Sequence, residues 1–203
     1  MRMPRVVPRY KEQAKTRIID AALRVFAEKG YHEATIADVA AKLGVSEGTI
    51  YLYFRSKREL FKAISDVGER DTAQLLASAI KSEDPVKNFF DLSIQAYEQY
   101  EPISGLMMEL LAEASRDASL RKIVRQNFDT DHETMKKFLL ELRNRKIGVE
   151  SDINRISMAI LYLFYGYAIS RLLGVGKSEA KSALGYAMRI MLEGKPTTPK
   201  SRT

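Results

Sequence analysis

The sequence predicts an all-α protein of about nine helices, and three observations carry that prediction. Apolar residues recur at helical spacing, as at Ile19, Ala22, Leu23 and Phe26, which are positions i, i+3, i+4 and i+7 of one helix face. No segment alternates polar and apolar residues with the β-branched enrichment typical of a strand. Capping residues, glycines and prolines interrupt the apolar pattern at intervals that suit helices.

Local signals delimit the helices of the first third. A helix is predicted over residues 10–29, because Gly30 can adopt the left-handed conformation that ends a helix. Thr35 and Asp38 form a capping-box pattern at the start of a short helix. A second short helix is predicted over residues 47–54.

The rest of the chain also predicts helices. Ser56 and Glu59 form another capping-box pattern, and Asp84 followed by Pro85 indicates an N-cap and a first helical residue. We expect a break at residues 101–102 and a disordered tail over residues 194–203. The remaining predicted helices are 56–81, 86–100, 103–115, 118–145, 152–173 and 177–193.

Size and composition are those of an ordinary globular protein. The 203 residues, 45% hydrophobic and 29% charged, suffice for a core that needs no covalent staple. The absence of Cys excludes a disulfide framework, a thiolate metal site and a cysteine nucleophile. The N-terminus lacks the apolar stretch of a signal peptide, and the longest apolar run, residues 158–169, is too short to span a bilayer. We therefore expect a cytoplasmic protein.

Positive charge is concentrated in the first third. The formal net charge is +7, and residues 1–60 hold twelve basic against seven acidic side chains. This excess indicates an anionic partner, with nucleic acid as the first candidate. Residues 1–9 read as a flexible basic arm interrupted by Pro4 and Pro8. The arm either follows DNA, in a minor groove or along the phosphates, or is a solvated tail.

The stretch from Thr35 to Lys57 has the pattern of a helix–turn–helix. Ala40 is small where the two short helices must cross, and Gly44 permits the sharp turn between them because it takes positive φ without steric cost. A simple helical hairpin inside an α-bundle is the alternative interpretation. The side chains expected to form the core of this motif are Val39, Leu43, Val45, Ile50, Phe54 and Leu60.

The outward-facing residues of this motif suit a DNA groove. Gly48 lets the second helix approach a surface closely, and a helix of that size enters a major groove. Tyrosine hydroxyls and the Lys57 ammonium can bond phosphate oxygens, and Thr35 adds a hydroxyl at a helix N-terminus. Glu47 either accepts a bond from a cytosine amine or caps its helix. The predicted DNA-binding residues are Thr35, Val45, Ser46, Glu47, Gly48, Thr49, Tyr51, Tyr53 and Lys57.

The motif stands in a wider pattern of matching residues, which are Ile19, Ala22, Phe26, Gly30, Tyr31, Thr35, Ile36, Val39, Ala40, Gly44, Val45, Ser46, Gly48, Thr49, Ile50, Tyr51, Tyr53, Phe54, Lys57, Leu60 and Phe61. With these residues the chain resembles the TetR family of one-component bacterial and archaeal transcriptional regulators. The likeness covers about residues 16–61, roughly a quarter of the chain. The all-helical remainder also fits that family.

The resemblance implies a homodimer that places two N-terminal three-helix units, residues 10–57, on successive major grooves of a palindromic operator in double-stranded DNA. A helical body, residues 58–193, would bind a small apolar effector and dimerise. Residues 46–53 would be the recognition helix, with Thr35, Tyr53 and Lys57 holding phosphates. Members usually repress, and the effector releases them from DNA. Residues 48–54 are especially similar to members that regulate fatty-acid degradation in response to acyl-coenzyme A.

The helical body is rich in aromatic and Met side chains. For each of them core packing is the default interpretation, whereas together they suit an apolar ligand cavity. The predicted ligand-binding residues are Phe89, Tyr97, Met107, Leu110, Phe128, Tyr162 and Tyr165.

The last two helices predict a dimer contact. The helix over residues 152–173 is apolar nearly all round, so two of its faces need cover, and a two-fold four-helix contact would provide it. Burial within one protomer is the alternative. The predicted interface residues on the final helix are Ala180, Ala183, Leu184, Ala187, Met188 and Met191.

Other functional classes find less support. Asp129, His132 and Glu133 could share a helix face as metal ligands, but a solvated face is the commoner explanation, and we predict no metal. The sequence has no nucleophile elbow, dinucleotide-binding glycine motif or metalloprotease pair, so we predict no catalytic residue, no cofactor and no enzyme. A multidrug-sensing efflux repressor and a helical protein-binding adaptor without DNA specificity stay open as alternatives.

Overall fold

The computed structural model describes residues 8–99, 101–148 and 152–193. Within these residues there are nine α-helices and no strand, so the all-α prediction is confirmed. The helices are α1 (Pro8–Lys29), α2 (Ile36–Leu43), α3 (Glu47–Tyr51), α4 (Lys57–Ala79), α5 (Pro85–Gln99), α6 (Glu101–Ala114), α7 (Ala118–Asn144), α8 (Ile153–Leu172) and α9 (Lys177–Glu193).

Two helix starts differ from the prediction for the same physical reason. α1 begins at Pro8, inside the predicted arm, and the predicted break at residues 101–102 is wrong because Glu101 and Pro102 lie in the first turn of α6. The first N–H groups of a helix have no intrahelical acceptor, so a proline there loses no hydrogen bond. Residues 1–7 of the arm and the predicted tail, residues 194–203, lie outside the described residues.

The chain divides into two compact units. The first unit comprises the described residues up to Gly68 together with Gly105–Val124. The second unit comprises Glu69–Ser104 and the described residues from Arg125 onwards. The sequence predicted a boundary between a DNA-binding domain, residues 10–57, and an effector-binding and dimerisation domain, residues 58–193. That boundary assigns functions to the two parts, and it stays a prediction.

The core of the first unit forms around the helix–turn–helix. α1 packs on α2, and α2 packs on α3. Tyr31 lies edge-on between Phe26 and Phe61, at ring-centroid distances of 5.5 and 5.4 Å. Ile50 and Leu60 are fully buried, so α3 and α4 are both anchored to this core. The orientation of α3, and with it of its outer face, is fixed by this aromatic trio and these two aliphatic residues.

The second unit has its own hydrophobic core. Leu139, Leu142 and Ile160 are fully buried in it, and Phe89 packs against Phe138 with ring centroids 5.1 Å apart. α8 and α9 pack against each other along this core. In the described part of the chain, no helix is long and apolar enough to cross a membrane.

Candidate nucleic-acid interface

The first helix of the motif starts at a complete capping box. The Thr35 hydroxyl oxygen accepts the Asp38 N–H at 3.1 Å, and an Asp38 carboxylate oxygen accepts the Thr35 N–H at 2.9 Å, as predicted. Hydrogen bonds from Lys29 and Thr35 hold the pKa of Asp38 at about 2. The Thr35 hydroxyl also donates to Asp38, so its proton is already used.

The turn between the two helices depends on Gly44. Its φ of +67° is left-handed, and a Cβ there would meet nothing within 4 Å, so backbone conformation alone favours glycine. The amides of Gly44 and Val45 bond Ala41 and Ala40 carbonyls and close the end of α2. This compact turn sets the angle at which α3 leaves α2.

Ser46 caps α3. Its hydroxyl accepts the Thr49 N–H at 3.3 Å and lies 3.0 Å from the Thr49 hydroxyl. Glu47 is therefore not the cap residue, and it occupies the exposed first turn, where the helix dipole favours a carboxylate. Its predicted contact with a base stays a prediction.

One buried side chain holds α3 and leaves the rest of its surface free. Ile50 is fully buried, as expected for a core residue of the motif, whereas Val45 is not, because it is 40% exposed. Val45 follows the left-handed Gly44 and precedes the cap, so the chain turns its side chain outwards. α3 ends at Tyr51, three residues before the predicted end, and Phe54 is buried, as predicted. Glu47, Gly48 and Tyr51 are exposed, as are Val45 and Ser46 beside them, and Thr49 and Tyr53 are half-buried.

Leu52, which is not among the predicted DNA-binding residues, is 79% exposed at the end of this helix. The signal that could have found it is helical spacing. At about 100° per residue, a side chain two positions after buried Ile50 points to the opposite side of the helix.

Lys57 has protein partners in this structure. Its ammonium donates to the backbone carbonyls of Tyr31, His32 and Ala34 at 2.6, 2.8 and 2.9 Å and lies 4.7 Å from the centre of the Tyr31 ring. Burial lowers the pKa of Lys57, and the nearby carboxylates of Glu109 and others oppose that shift. All three ammonium donors are used, so the predicted phosphate contact would require one carbonyl to be released.

Residues 18–64 match the family described as bacterial regulatory proteins, tetR family. This segment is a TetR-family domain. The matched segment contains the whole helix–turn–helix, so α2 and α3 form the family's DNA-binding motif. The curated proteins that the chain resembles are transcriptional regulators.

Several curated transcriptional regulators are similar to the chain. The HTH-type transcriptional regulator YfiR of Bacillus subtilis is 26% identical over 130 residues, which are 62% of this chain and 63% of that protein. The fatty acid metabolism regulator protein of B. subtilis is 51% identical over 43 residues, 21% of this chain and 22% of that protein. UidR of Escherichia coli K12 is 23% identical over 190 residues, 90% of this chain and 93% of that protein. The chain thus spans less than two thirds of the first two relatives.

Solved structures share the fold over nearly the whole chain. Salmonella enterica GusR has a TM-score of 0.76 at 19% identity, covering 93% of this chain and 98% of GusR. FadR of B. subtilis in complex with stearoyl-CoA has a TM-score of 0.65 at 20% identity, covering 89% of this chain and 98% of FadR. At these identities the similarity establishes the fold.

A carboxylate from α6 also holds the segment between α1 and α2 of the TetR-family domain. A Glu109 side-chain oxygen accepts the His32 N–H at 2.8 Å. Arg58 and Asp117 form an ion pair at 2.9 Å, and hydrogen bonds led by that from Ser119 lower the pKa of Asp117 to about 2. These contacts lie inside the first unit, so the α6 residues from Gly105 onwards are packed with the DNA-binding motif.

The predicted ligand-binding residues are divided between the two units. Phe128 stacks on Tyr162 and Tyr165, with ring centroids 6.1 and 6.2 Å apart, within the second unit. In the same unit Tyr97 packs on the Tyr167 ring instead, and Phe89 is part of the dense core. Met107 and Leu110 belong to the first unit, where Leu110 is buried and Met107 exposed.

Asp131, which is not among the predicted site residues, is a charged neighbour of the aromatic stack. Burial, followed by the negative charge of Glu69, raises the pKa of Asp131 to about 6. The Asp131 charge in turn adds to the burial that raises the pKa of Tyr165. Asp131 lies three residues after Phe128, a spacing that puts both on one face of α7. The aromatic stack is therefore next to a carboxyl group.

The predicted interface on α9 needs correction. Ala180, Leu184 and Met188 recur every four residues and are buried in the protomer's own core, against which Met191 also packs. The free side of α9 is the one that carries Ala183, Tyr186 and Ile190, with Ala187 half-buried at its edge. α8 exposes the apolar side chains of Tyr162, Ile169 and Leu172, and its C-cap residue Leu173 is also exposed.

The possible metal ligands on α7 have other partners. His132 is buried with its Nε2 atom 3.2 Å from the Asn154 carbonyl oxygen, Asp129 pairs with Arg125, and Glu133 pairs with Lys136. Among the described residues, no group of three potential ligands is placed to hold a metal ion.

Proposed function

We propose that the chain is a dimeric transcriptional repressor that binds a palindromic operator and leaves it when a small apolar effector binds. The observation that carries the proposal is the outer face of α3, which Ile50 anchors from behind while Glu47, Gly48 and Tyr51 stay exposed. A protein that binds operator DNA would act in the cytoplasm, where that DNA lies.

Charge supports a role on DNA. Residues 1–60, which include the motif, hold most of the excess positive charge of the chain. Such charge gives binding that weakens steeply with salt, while contacts with base edges provide the sequence preference. A helical adaptor that binds only protein would show neither a salt-dependent DNA affinity nor a preferred DNA sequence.

The exposed apolar surface of α8 and α9 supports a homodimer. Tyr162 and Ile169 on α8, and Tyr186 and Ile190 on α9, are each at least 40% exposed. Large apolar side chains grouped on two packed helices indicate an interface, and a second copy of the chain would cover them with two-fold symmetry. The same symmetry would present two copies of α3 to a palindromic site.

Fatty acyl-CoA is the first effector candidate. Two of the similar proteins support it, since one is named a fatty acid metabolism regulator and one contains stearoyl-CoA. The faces of Phe128, Tyr162 and Tyr165 offer apolar surface that an acyl chain could contact.

A drug-like apolar cation, as expected for an efflux repressor, is the second candidate. Asp131 favours it, because a carboxylate beside aromatic rings attracts a cation and repels the phosphates of coenzyme A. The variant Asp131→Asn separates the two candidates. It should abolish a response to a cation and leave a response to acyl-CoA intact or stronger.

In vitro selection of genomic fragments by the purified protein, at near-physiological salt, tests the proposal. A selected palindrome supports it, and the genes next to that site nominate the effector. Release from the selected DNA is then measured with stearoyl-CoA and with tetraphenylphosphonium. Absence of any selected sequence, together with a monomeric mass by light scattering, would contradict the proposal.

A further inference from the structure

Leu52 is exposed without a packing role. Of the large apolar side chains in the described part of the first unit, it is the most exposed, at 79%. It stands directly after α3, and its N–H donates to the Gly48 carbonyl at 3.2 Å. The residue is therefore held rigidly by the helix while its side chain contacts little of the protein.

Helical geometry gives the direction of this side chain. Leu52 keeps helical backbone angles, with φ −66° and ψ −23°. At about 100° per residue, Leu52 and Gly48 each lie two positions from buried Ile50 and so point away from the core. Side chains on a helix lean toward its N-terminus, so Leu52 covers the surface next to Gly48. Gly48 is where the backbone of α3 can come closest to DNA.

The chemistry of leucine limits what it can recognise there. It has no donor or acceptor, and the C5 methyl of thymine is the apolar group that base edges present in the major groove. The nearby hydroxyls of Ser46 and Thr49 lie within hydrogen-bond distance of each other. We propose that Leu52 selects a thymine in each operator half-site by packing against its methyl group. This inference rests on the proposed function, since it requires α3 to enter the major groove.

Deoxyuridine substitution tests the contact directly, because it removes only the methyl group of a thymine. Each thymine of the selected palindrome is replaced in turn, in both half-sites, and affinities are measured for the unmodified protein and for Leu52→Ala. One buried methyl corresponds to about a fourfold change in affinity, so two half-sites give roughly 15-fold at one symmetric position. In Leu52→Ala that difference between thymine and uracil should disappear.

Two further variants complete the experiment. Leu140→Ala removes an exposed leucine from α7 and should keep the full preference for thymine. Leu52→Met keeps an apolar side chain of similar size and should retain most of it. The melting temperature of Leu52→Ala should match that of the unmodified protein, because the side chain it removes is exposed.

The outcomes separate this inference from the proposed function. If the protein binds a palindrome but no thymine-to-uracil change weakens it, or if Leu52→Ala shows the same sensitivity, the contact with a thymine methyl is overturned and DNA binding stands. If no DNA sequence is bound, both are overturned.

Discussion

The carboxylate of Glu109 occupies the space that a side chain at residue 30 would need. A Cβ on Gly30 would lie 2.5 Å from Glu109 Oε2, and the φ of Gly30 is +79°. The other carboxylate oxygen accepts the His32 N–H. A residue without a side chain thus lets an α6 carboxylate reach the segment between α1 and α2.

This relationship predicts that Gly30→Ala destabilises the protein more than Gly44→Ala. Both substitutions put alanine at positive φ, at a cost of about 1–2 kcal/mol, but a Cβ at Gly44 meets no atom within 4 Å. Only Gly30→Ala also displaces Glu109 from His32, which adds about 1–2 kcal/mol. Urea unfolding measures both free energies. Equal losses in the two variants would show that the Glu109 contact contributes nothing.

Lys57→Met is predicted to reduce the free energy of unfolding by about 2 kcal/mol or more, because hydrogen bonds from a charged group to three carbonyls are lost. The matched control is Lys42→Met, which breaks an exposed ion pair with Glu28 and should cost about 1 kcal/mol or less. Both are measured by urea unfolding. If Lys57→Met keeps full stability and only weakens DNA binding, Lys57 serves phosphate contact and not the fold.

Gly48→Ala is predicted to separate stability from DNA binding. A Cβ there would meet only the Ser46 hydroxyl oxygen, at 3.7 Å, so the free protein accommodates it and gains helix propensity. On DNA the added methyl should obstruct close approach and lower affinity about tenfold or more, as a cost of 1.4 kcal/mol would. Gly68→Ala in α4, where a Cβ meets nothing within 4 Å, is the control and should bind DNA normally. Unimpaired binding by Gly48→Ala would exclude a close approach at this residue.

The raised pKa of Asp131 predicts that the free energy of unfolding falls as the pH rises. Its pKa in the folded protein, about 6, is above its ordinary value of 3.8, so the folded state holds this proton more tightly than the unfolded state. That contribution to stability is complete below pH 4 and is lost as the pH rises through 6. Asp131→Asn is neutral throughout, so its stability advantage should grow by about 1–3 kcal/mol between pH 4 and pH 7.5.

Urea unfolding of the unmodified protein and Asp131→Asn at both pH values measures this difference. Asp91→Asn is a control in which the stability difference should change with pH in the opposite direction. The hydrogen bond from Lys87 lowers the pKa of Asp91 and favours its charged form. Asp91 is exposed enough for solvent to screen the effect, so only a small loss at the higher pH is expected. A constant difference between Asp131→Asn and the unmodified protein would contradict the raised pKa.

The exposed side of α8 and α9 predicts how the dimer can be broken. The double variant Ile169→Lys, Ile190→Lys should remain folded, since both side chains are more than 39% exposed, and should have a monomeric mass by light scattering. Burying an unpaired lysine in an interface is strongly unfavourable. Leu140→Lys on α7 is the matched control and should stay dimeric. A dimeric double variant would place the interface elsewhere.

Most helices of this chain could be predicted because their signals are local. The capping box of Thr35 and Asp38, the left-handed Gly30 and Gly44, and the buried Ile50 follow from residues a few positions apart. Local signals misjudged Val45, because a glycine turn decides where the next side chain points, and that direction is not a matter of hydrophobicity. The same local signals did not indicate Leu52, because its proposed role depends on the exposure of its side chain.

The sequence by itself therefore determined the all-α class, the helix–turn–helix and the charge that suits it to DNA, since periodicity and caps act within one or two turns. Only the tertiary structure decided which groups meet across long sequence separations. In that structure the Lys57 ammonium donates to three backbone carbonyls and Asp131 lies beside Tyr165. Leu184, predicted at a dimer interface, is buried in the core of its own chain. These outcomes depend on how helices distant in sequence pack, because burial and electrostatic partners arise from that packing and not from local propensity.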